Sequence, residues 1–337
     1  VNQSKYIMAH VSDTFRTQRD DSTLTTLCHN LLSEQVQTWV DLKKAYAALR
    51  HVRTRGIRCN GFSVLLQYNP GRIISSLAGM DRTKDIEHAC FLCPQNLPKD
   101  QQGILYHDTF LILCNPAPVL PFHFTVSHVN HCRQEIMPYI GTFLSLTADL
   151  GSQWLVLYNG PHCGASAPHH LHFQVIPSGK TPVEKEIQEK SRLRVIKKHK
   201  GVHLYEARAM GRECRVLEGN DSIAITHALN DYMAALKKDP LTTDEPMINI
   251  AGFFDSKNWH LILLPRRKHR PHGFYQKGGG RVVVSPAILE MLGLIITPLK
   301  KDFEKLDASA IEKIFEEVSL KNDSPIDGAT KPKERTS

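Results

Sequence analysis

Residues 158–174 read YNGPHCGASAPHHLHFQ, a loop with two glycines and two prolines that runs into an alternating segment. Successive side chains of a β-strand point to opposite faces, so HLHFQ sets His170, His172 and Gln174 on one face and Leu171 and Phe173 on the other. Leu171 and Phe173 then face a core, and the polar face is free for chemistry. That face offers an imidazole nucleophile, a second imidazole and an amide able to donate to a phosphoryl oxygen. The glycine-bearing loop before it can bring backbone N–H groups to the same phosphate. A single histidine on a strand face is ordinarily just solvated. Three polar residues alternating with two apolar ones beside Gly164, Ala165 and Ser166 point to a site instead.

The flanking sequence predicts what carries this strand. Residues 109–113, 123–126, 154–158 and 170–176 are short β-rich runs, and 137–150 reads as a helix between the second and third. Strand, strand, helix, strand, loop, strand gives an α+β core. Further upstream, Leu32, Val36, Val40, Leu42 and Leu49 fall near helical spacing and predict one amphipathic helix over 30–50. GFSVLLQYNPGRIISS (61–76) reads as a strand over 62–68, an Asn-Pro-Gly turn and a second short strand, a hairpin.

Downstream, 247–253 and 259–264 are strand-like, and Ser285 as N-cap with Pro286 at the first helical position predicts a helix start. HFTVSHVNH (123–131) and HLILLPRRKH (260–269) each start at His and run into a polar, His-terminated turn, which suggests a degenerate internal repeat. The chain, at 337 residues, is longer than one hydrophobic core usually serves, so two lobes or one double-repeat domain is expected. The expected division is a helical extension over 1–60, a catalytic half over 61–186, a second, degenerate half over 187–321 and a disordered polar tail over 322–337.

Composition removes other classes. With 41% hydrophobic and 23% charged residues the chain is an ordinary globular one, and no apolar run approaches the roughly 18 residues of a membrane span. Residues 1–19 are polar and lack an apolar h-region, and the sequence starts without Met, which leaves a trimmed leader open; a cytoplasmic protein is expected. The 42 basic residues against 34 acidic ones give +8, which favours an anionic partner such as a phosphorylated metabolite. The basic clusters at 192–200 and 266–270 read as solvated faces; they lack interleaved aromatics, and no nucleic-acid partner is expected. Eight Cys are too sparse for a disulfide scaffold, and Cys90 and Cys93 are spaced C-x-x-C. With His131 and His170 they could close a tetrahedral zinc site. His128 in the same SHVNH turn is an alternative third ligand, and two ordinary buried thiols are the metal-free alternative.

HLHFQ resembles the H-x-H-x-Q signature of the transferase branch of the histidine-triad superfamily, which holds galactose-1-phosphate uridylyltransferases, diadenosine tetraphosphate (Ap4A) phosphorylases and GDP-hexose phosphorylases. LILCNPAPVLPFHFTV, QYNPGRI and PVEK (182–185) are similar to family segments in order and spacing, and the likeness runs well over 67–186. Within the branch the chain looks most like an uncharacterised bacterial group. The resemblance implies a histidine-triad-like antiparallel sheet with packed helices in two halves. It implies His172 as nucleophile on an α-phosphorus, forming a covalent nucleotidyl-histidine, with Gln174 and Ser166 on the phosphates. Asn115 would meet the nucleoside, and Asn159, Gly164 and Ala165 would shape the loop. It also implies a structural zinc on Cys90, Cys93, His131 and His170 that orients His170 and so the strand bearing His172. The activity implied is nucleotidyl transfer from a nucleotide sugar to phosphate or a sugar 1-phosphate, with a homodimer among the assemblies to expect. The alternatives are an Ap4A phosphorylase or hydrolase and a catalytically silent nucleotide-binding protein.

Overall fold

The computed structural model describes residues 3–16, 23–77, 89–237 and 244–320, so the expected tail over 322–337 lies outside the described residues. The strands are β1 (Val11–Phe15), β2 (Arg53–Arg58), β3 (Ser63–Tyr68), β4 (Gly103–Tyr106), β5 (Phe110–Cys114), β6 (Phe124–His128) and β7 (Trp154–Asn159). They continue as β8 (His172–Pro177), β9 (Leu193–His199), β10 (Val202–Ala207), β11 (Arg215–Gly219), β12 (Ile248–Phe254), β13 (Trp259–Pro265) and β14 (Leu294–Thr297). Eleven of them form one sheet in the order β1-β4-β5-β6-β8-β7-β12-β13-β11-β10-β9, and β14-β3-β2 form a second. In the large sheet only β1 on β4 is parallel. The expected mixture of helices with a mainly antiparallel sheet is what the chain adopts.

Outward from β7 and β12, the strand order is β7-β8-β6-β5-β4 on one side and β12-β13-β11-β10-β9 on the other. A helix follows the third strand of each run along the chain, Ile140–Leu150 after β6 and Ser222–Leu236 after β11. β13 therefore holds the place of β8, not of β6. The comparison of 123–131 with 260–269 is corrected accordingly: HLILLP corresponds in position to the strand of HLHFQ.

Both faces of the sheet are covered, and the alternation of the strands divides two cores. Trp154, Val156 and Tyr158 join one core with Phe173 and Val175, while Leu155 and Leu157 join the other with Ile176. Helices Leu24–Thr38, Ile140–Leu150 and Ser222–Leu236 pack on the first. The second lies under the small sheet and helices Lys300–Lys305 and Ala308–Val318. His172 and Gln174 share the parity of Ile176, so they sit on the face that the small sheet covers.

Several local expectations change. The helix over 30–50 is two, Leu24–Thr38 and Val40–Ala48. Buried Trp39 takes φ −108° and ψ 104°, and its N–H donates to Gln35 O at 2.9 Å, which stops the first helix and starts the second. Strand β3 does form, but its hairpin partner is β2 before it; after Asn69 the chain makes a 3-10 turn and the short helix Ile73–Leu77. Ser285 caps no helix: the helix is only Ile288–Met291, and the apolar run after it becomes β14, pairing parallel with β3. Arg266 and Arg270 are buried rather than solvated. No helix of the described residues is long and apolar enough to cross a membrane.

Candidate functional site

His172 opens β8 and is buried. Its Nδ1 lies 2.8 Å from His170 O, and a carbonyl can only accept, so Nδ1 carries the proton. The holder is the chain's own carbonyl two residues back, just before the strand. Nε2 is then left with its lone pair, buried and with no hydrogen-bond partner, while the ring lines a cavity of about 400 Å3. Desolvation disfavours the imidazolium and lowers the pKa of His172. A neutral, oriented imidazole with a free lone pair facing a cavity is a nucleophile in its reactive form.

Gln134 fixes the strand at this point. Its Oε1 accepts from His172 N at 2.8 Å, and its Nε2 donates to Asn159 O at 2.8 Å and His172 O at 3.1 Å. Gln174, two residues on, meets His123 of the 115–123 loop. Val119 N donates to His123 Nδ1 at 3.2 Å, so the proton is on Nε2, which lies 2.8 Å from Gln174 Oε1. Burial, then the nearby Arg72 charge, pushes His123 down to about 4 and keeps it neutral. With Oε1 engaged, the amide NH2 of Gln174 is the end left for the cavity. His123 and Arg72 lie within the segments LILCNPAPVLPFHFTV and QYNPGRI without standing out there as site residues, and Gln134 carries no motif signal.

The structure brings Asn115, Asn159, Gly164, Ala165, Ser166, His172 and Gln174 to this one cavity. His170 is the exception among the HLHFQ residues: β8 begins at His172, and the His170 ring turns away to Cys90, Cys93 and His131. Asn159 is spent on structure, its Oδ1 accepting from Asn249 Nδ2 at 2.7 Å and Ile288 N at 2.8 Å. Asn115 bonds Thr125 Oγ1 and Ala117 N at 3.0 and 2.9 Å, shaping the pocket wall. Gly164 has φ +99°, and a Cβ there would lie 2.6 Å from Ala287 Cβ, so only glycine lets the loop lie against that segment.

Cys90, Cys93, His131 and His170 offer ligand atoms within 4.8 Å of one another. Cys90 Sγ to His170 Nδ1 and Cys93 Sγ to His131 Nδ1 are both 3.3 Å, and Cys93 Sγ to His170 Nδ1 is 3.5 Å. Zinc bonds of about 2.3 Å to sulfur and 2.0–2.1 Å to nitrogen give tetrahedral edges of about 3.5 Å, so the four could hold such an ion. His170 Nε2 lies 2.7 Å from His128 O, which puts its proton there and leaves Nδ1 to ligate. His128 is no ligand in this arrangement: its Nδ1 faces Asn130 and its ring packs edge-on to Phe110 and Tyr139.

The chain shares its fold with solved structures of an Ap4A phosphorylase. Residues 31–177 match the family described as "Domain of unknown function (DUF4922)". Yeast Ap4A phosphorylase Apa2 superposes with a TM-score of 0.61 at 14% identity, covering 86% of this chain and 97% of that one. The same enzyme in complex with Ap4A gives 0.58 at 14% identity, over 86% and 97%, and in complex with AMP 0.56 at 15%, over 86% and 96%. A comparison with the curated proteins finds no match.

Proposed function

We propose that the chain transfers a nucleotidyl group through Nε2 of His172. An α-phosphate in the cavity takes the Nε2 lone pair, the phosphorylated leaving group departs, and a nucleotidyl-histidine remains until an acceptor phosphate oxygen removes the nucleotide. The observation that carries this is the unpartnered Nε2, with Nδ1–H pinned to His170 O in front of a cavity. Ser166, the Gln174 amide and the N–H groups of residues 164–166 meet the charge of the transferring phosphoryl. Asn115 faces the nucleoside. Cys90, Cys93, His131 and His170 would hold a zinc ion that fixes His170, whose carbonyl orients His172.

The donor class is a nucleotide sugar, with phosphate or a sugar 1-phosphate as acceptor, and the protein works as a cytoplasmic enzyme. The likeness to an Ap4A phosphorylase over nearly its whole length supports a second donor class, a dinucleoside polyphosphate. Incubation with UDP-, GDP- and ADP-sugars and with Ap4A, followed by intact mass, separates the two and names the nucleotide. The expected result is one nucleotidyl adduct that His172→Asn abolishes. Turnover unchanged in that variant would overturn the assignment. Binding with no adduct would leave a silent nucleotide-binding protein, and discharge by water as fast as by phosphate would make it a hydrolase.

We read 193–265 as a second, altered copy of the catalytic half. Trp154 pairs with Pro177 and Ile248 with Pro265, so the two hairpins share a register in which His260 stands for His172 and Ile262 for Gln174. His260 lies 2.8 Å from Asp255, and its ring stacks on Phe253. With an isoleucine for the amide, this half keeps the scaffold and lacks the phosphoryl donor.

A further inference from the structure

The far walls of the cavity come from the second half of the chain. His269, Arg270 and Ser285 line it together with Arg72, His172 and Gln174. We propose that His269, Arg270 and Ser285 form an oxyanion subsite for the phosphate group that accepts the nucleotide, whether free orthophosphate or the phosphate of a sugar 1-phosphate. The inference rests on nucleotidyl transfer at His172 and assigns the second substrate of that same site.

The subsite is built before any ligand arrives. Arg270 is buried, its guanidinium lies 4.4 Å over the Phe274 ring, and its Nε donates to Ser285 Oγ at 2.8 Å. Ser285 Oγ is 3.4 Å from His269 Nε2, so the three side chains form one contiguous group. Arg266 holds their backbone, its Nη2 donating to Lys268 O at 3.1 Å and His269 O at 2.8 Å. The group adjoins the phosphoryl loop, because Ala287, two residues beyond Ser285, is the neighbour that forbids a side chain at Gly164.

Its chemistry selects an anion. A guanidinium held flat by an aromatic ring and a hydroxyl presents planar donors suited to phosphate oxygens, and sugar hydroxyls alone would call for carboxylates and amides. The carboxyl that shares the cavity, Glu290, is pushed up to about 7 by burial, which weakens its opposition to the positive charge. In the step itself an acceptor oxygen forms a bond to the α-phosphorus as the P–Nε2 bond breaks. The electron pair returns to Nε2, Nδ1 keeps its proton, and the product is a nucleoside diphosphate from orthophosphate or a nucleotide sugar from a sugar 1-phosphate.

Two measurements on the full chain test this. Equilibrium dialysis with radiolabelled inorganic phosphate, without nucleotide, should show binding that Arg270→Gln weakens at least tenfold and His269→Ala weakens in the same direction. Equal affinity in wild type and both variants, or no binding to wild type, overturns the subsite. Discharge of a preformed His172 adduct should then need at least tenfold more acceptor in Arg270→Gln, and comparison of phosphate with hexose 1-phosphate names the source. Dialysis needs no adduct, so failure of the adduct with intact phosphate binding would count against His172 and not against the subsite.

Discussion

The reactive imidazole owes its state to its neighbours, and so does the amide beside it. His123 accepts from Val119 N only while its ring is neutral, whereas the bond that Nε2–H donates to Gln174 Oε1 survives protonation; the buried ring, not that bond, resists the charge. Its folded pKa of about 4 lies below the unfolded value near 6.5, so the unfolded chain binds the extra proton between them. The stability it contributes is complete above about pH 6.5 and is lost as pH falls through about 4, on the order of 3 kcal/mol. Glu245 and Glu290, raised to about 7 by burial, act in the other direction, losing stability as pH rises from about 4.5 to 7. A difference measurement isolates the histidine: in urea unfolding, wild type should lose about 3 kcal/mol more than His123→Gln between about pH 7 and about pH 4. Equal losses would rule out the buried neutral ring. His172 and Gln174 were legible because a strand's period of two displays them side by side. His123 and Gln134 were not, since they lie 51 and 38 residues from their partners and meet them only through sheet pairing and loop closure.

Between elements, the Cys-His cluster ties the turn of Cys90 and Cys93 to the ends of the paired strands β6 and β8. Cys90 and Cys93 sit in a turn closed by Cys93 N donating to Cys90 O at 3.1 Å, His131 follows β6, and His170 precedes β8. Zinc bound there would convert metal affinity into folding free energy. Cys93→Ser is expected to lose about one equivalent of zinc on native mass spectrometry and to melt a few degrees lower. A strong chelator should bring wild type to the same melting temperature and leave the variant where it is; a wild type that binds no zinc and ignores the chelator removes the metal from the site. The C-x-x-C spacing made this cluster readable. Other elements hid their nature. LRVIKKH reads as a charged face yet is the edge strand β9, where three consecutive basic or imidazole side chains stay exposed without a second covering layer. Ser285 reads as an N-cap, yet its hydroxyl is taken by Arg270, and tertiary contact outweighs a local cap worth about 1 kcal/mol.

Across the molecule, one buried guanidinium ties the segment after β13 to the loop between β7 and β8 through Asn249. Arg266 Nη1 donates to Asn249 Oδ1 at 2.6 Å and Pro286 O at 3.0 Å, Nη2 to the carbonyls of Lys268 and His269, and Nε to Val318 O at 3.3 Å. Asn249 passes this on, its Nδ2 donating to Asn159 Oδ1 at 2.7 Å and to Cys163 O at 2.9 Å, the carbonyl just before Gly164. The loop at Cys163 and Gly164 and the 268–270 segment are thus referenced to the same side chain. From sequence this arginine is one of a basic cluster; only the pairing of β7 with β12 brings Asn159 opposite Asn249 and gives the cluster an inward member. A lysine keeps the charge but has three donors on one atom for five acceptors spread around a plane. At least two buried carbonyls or amide oxygens then go unserved at about 1–3 kcal/mol each, so Arg266→Lys should lose roughly 2–5 kcal/mol in urea unfolding. If its role is positioning as well as support, the folded fraction of the variant should also form the His172 adduct at least tenfold more slowly. It should need more phosphate to discharge that adduct, because both loops lose their common anchor. A variant that loses stability but keeps both rates would restrict Arg266 to holding these segments together.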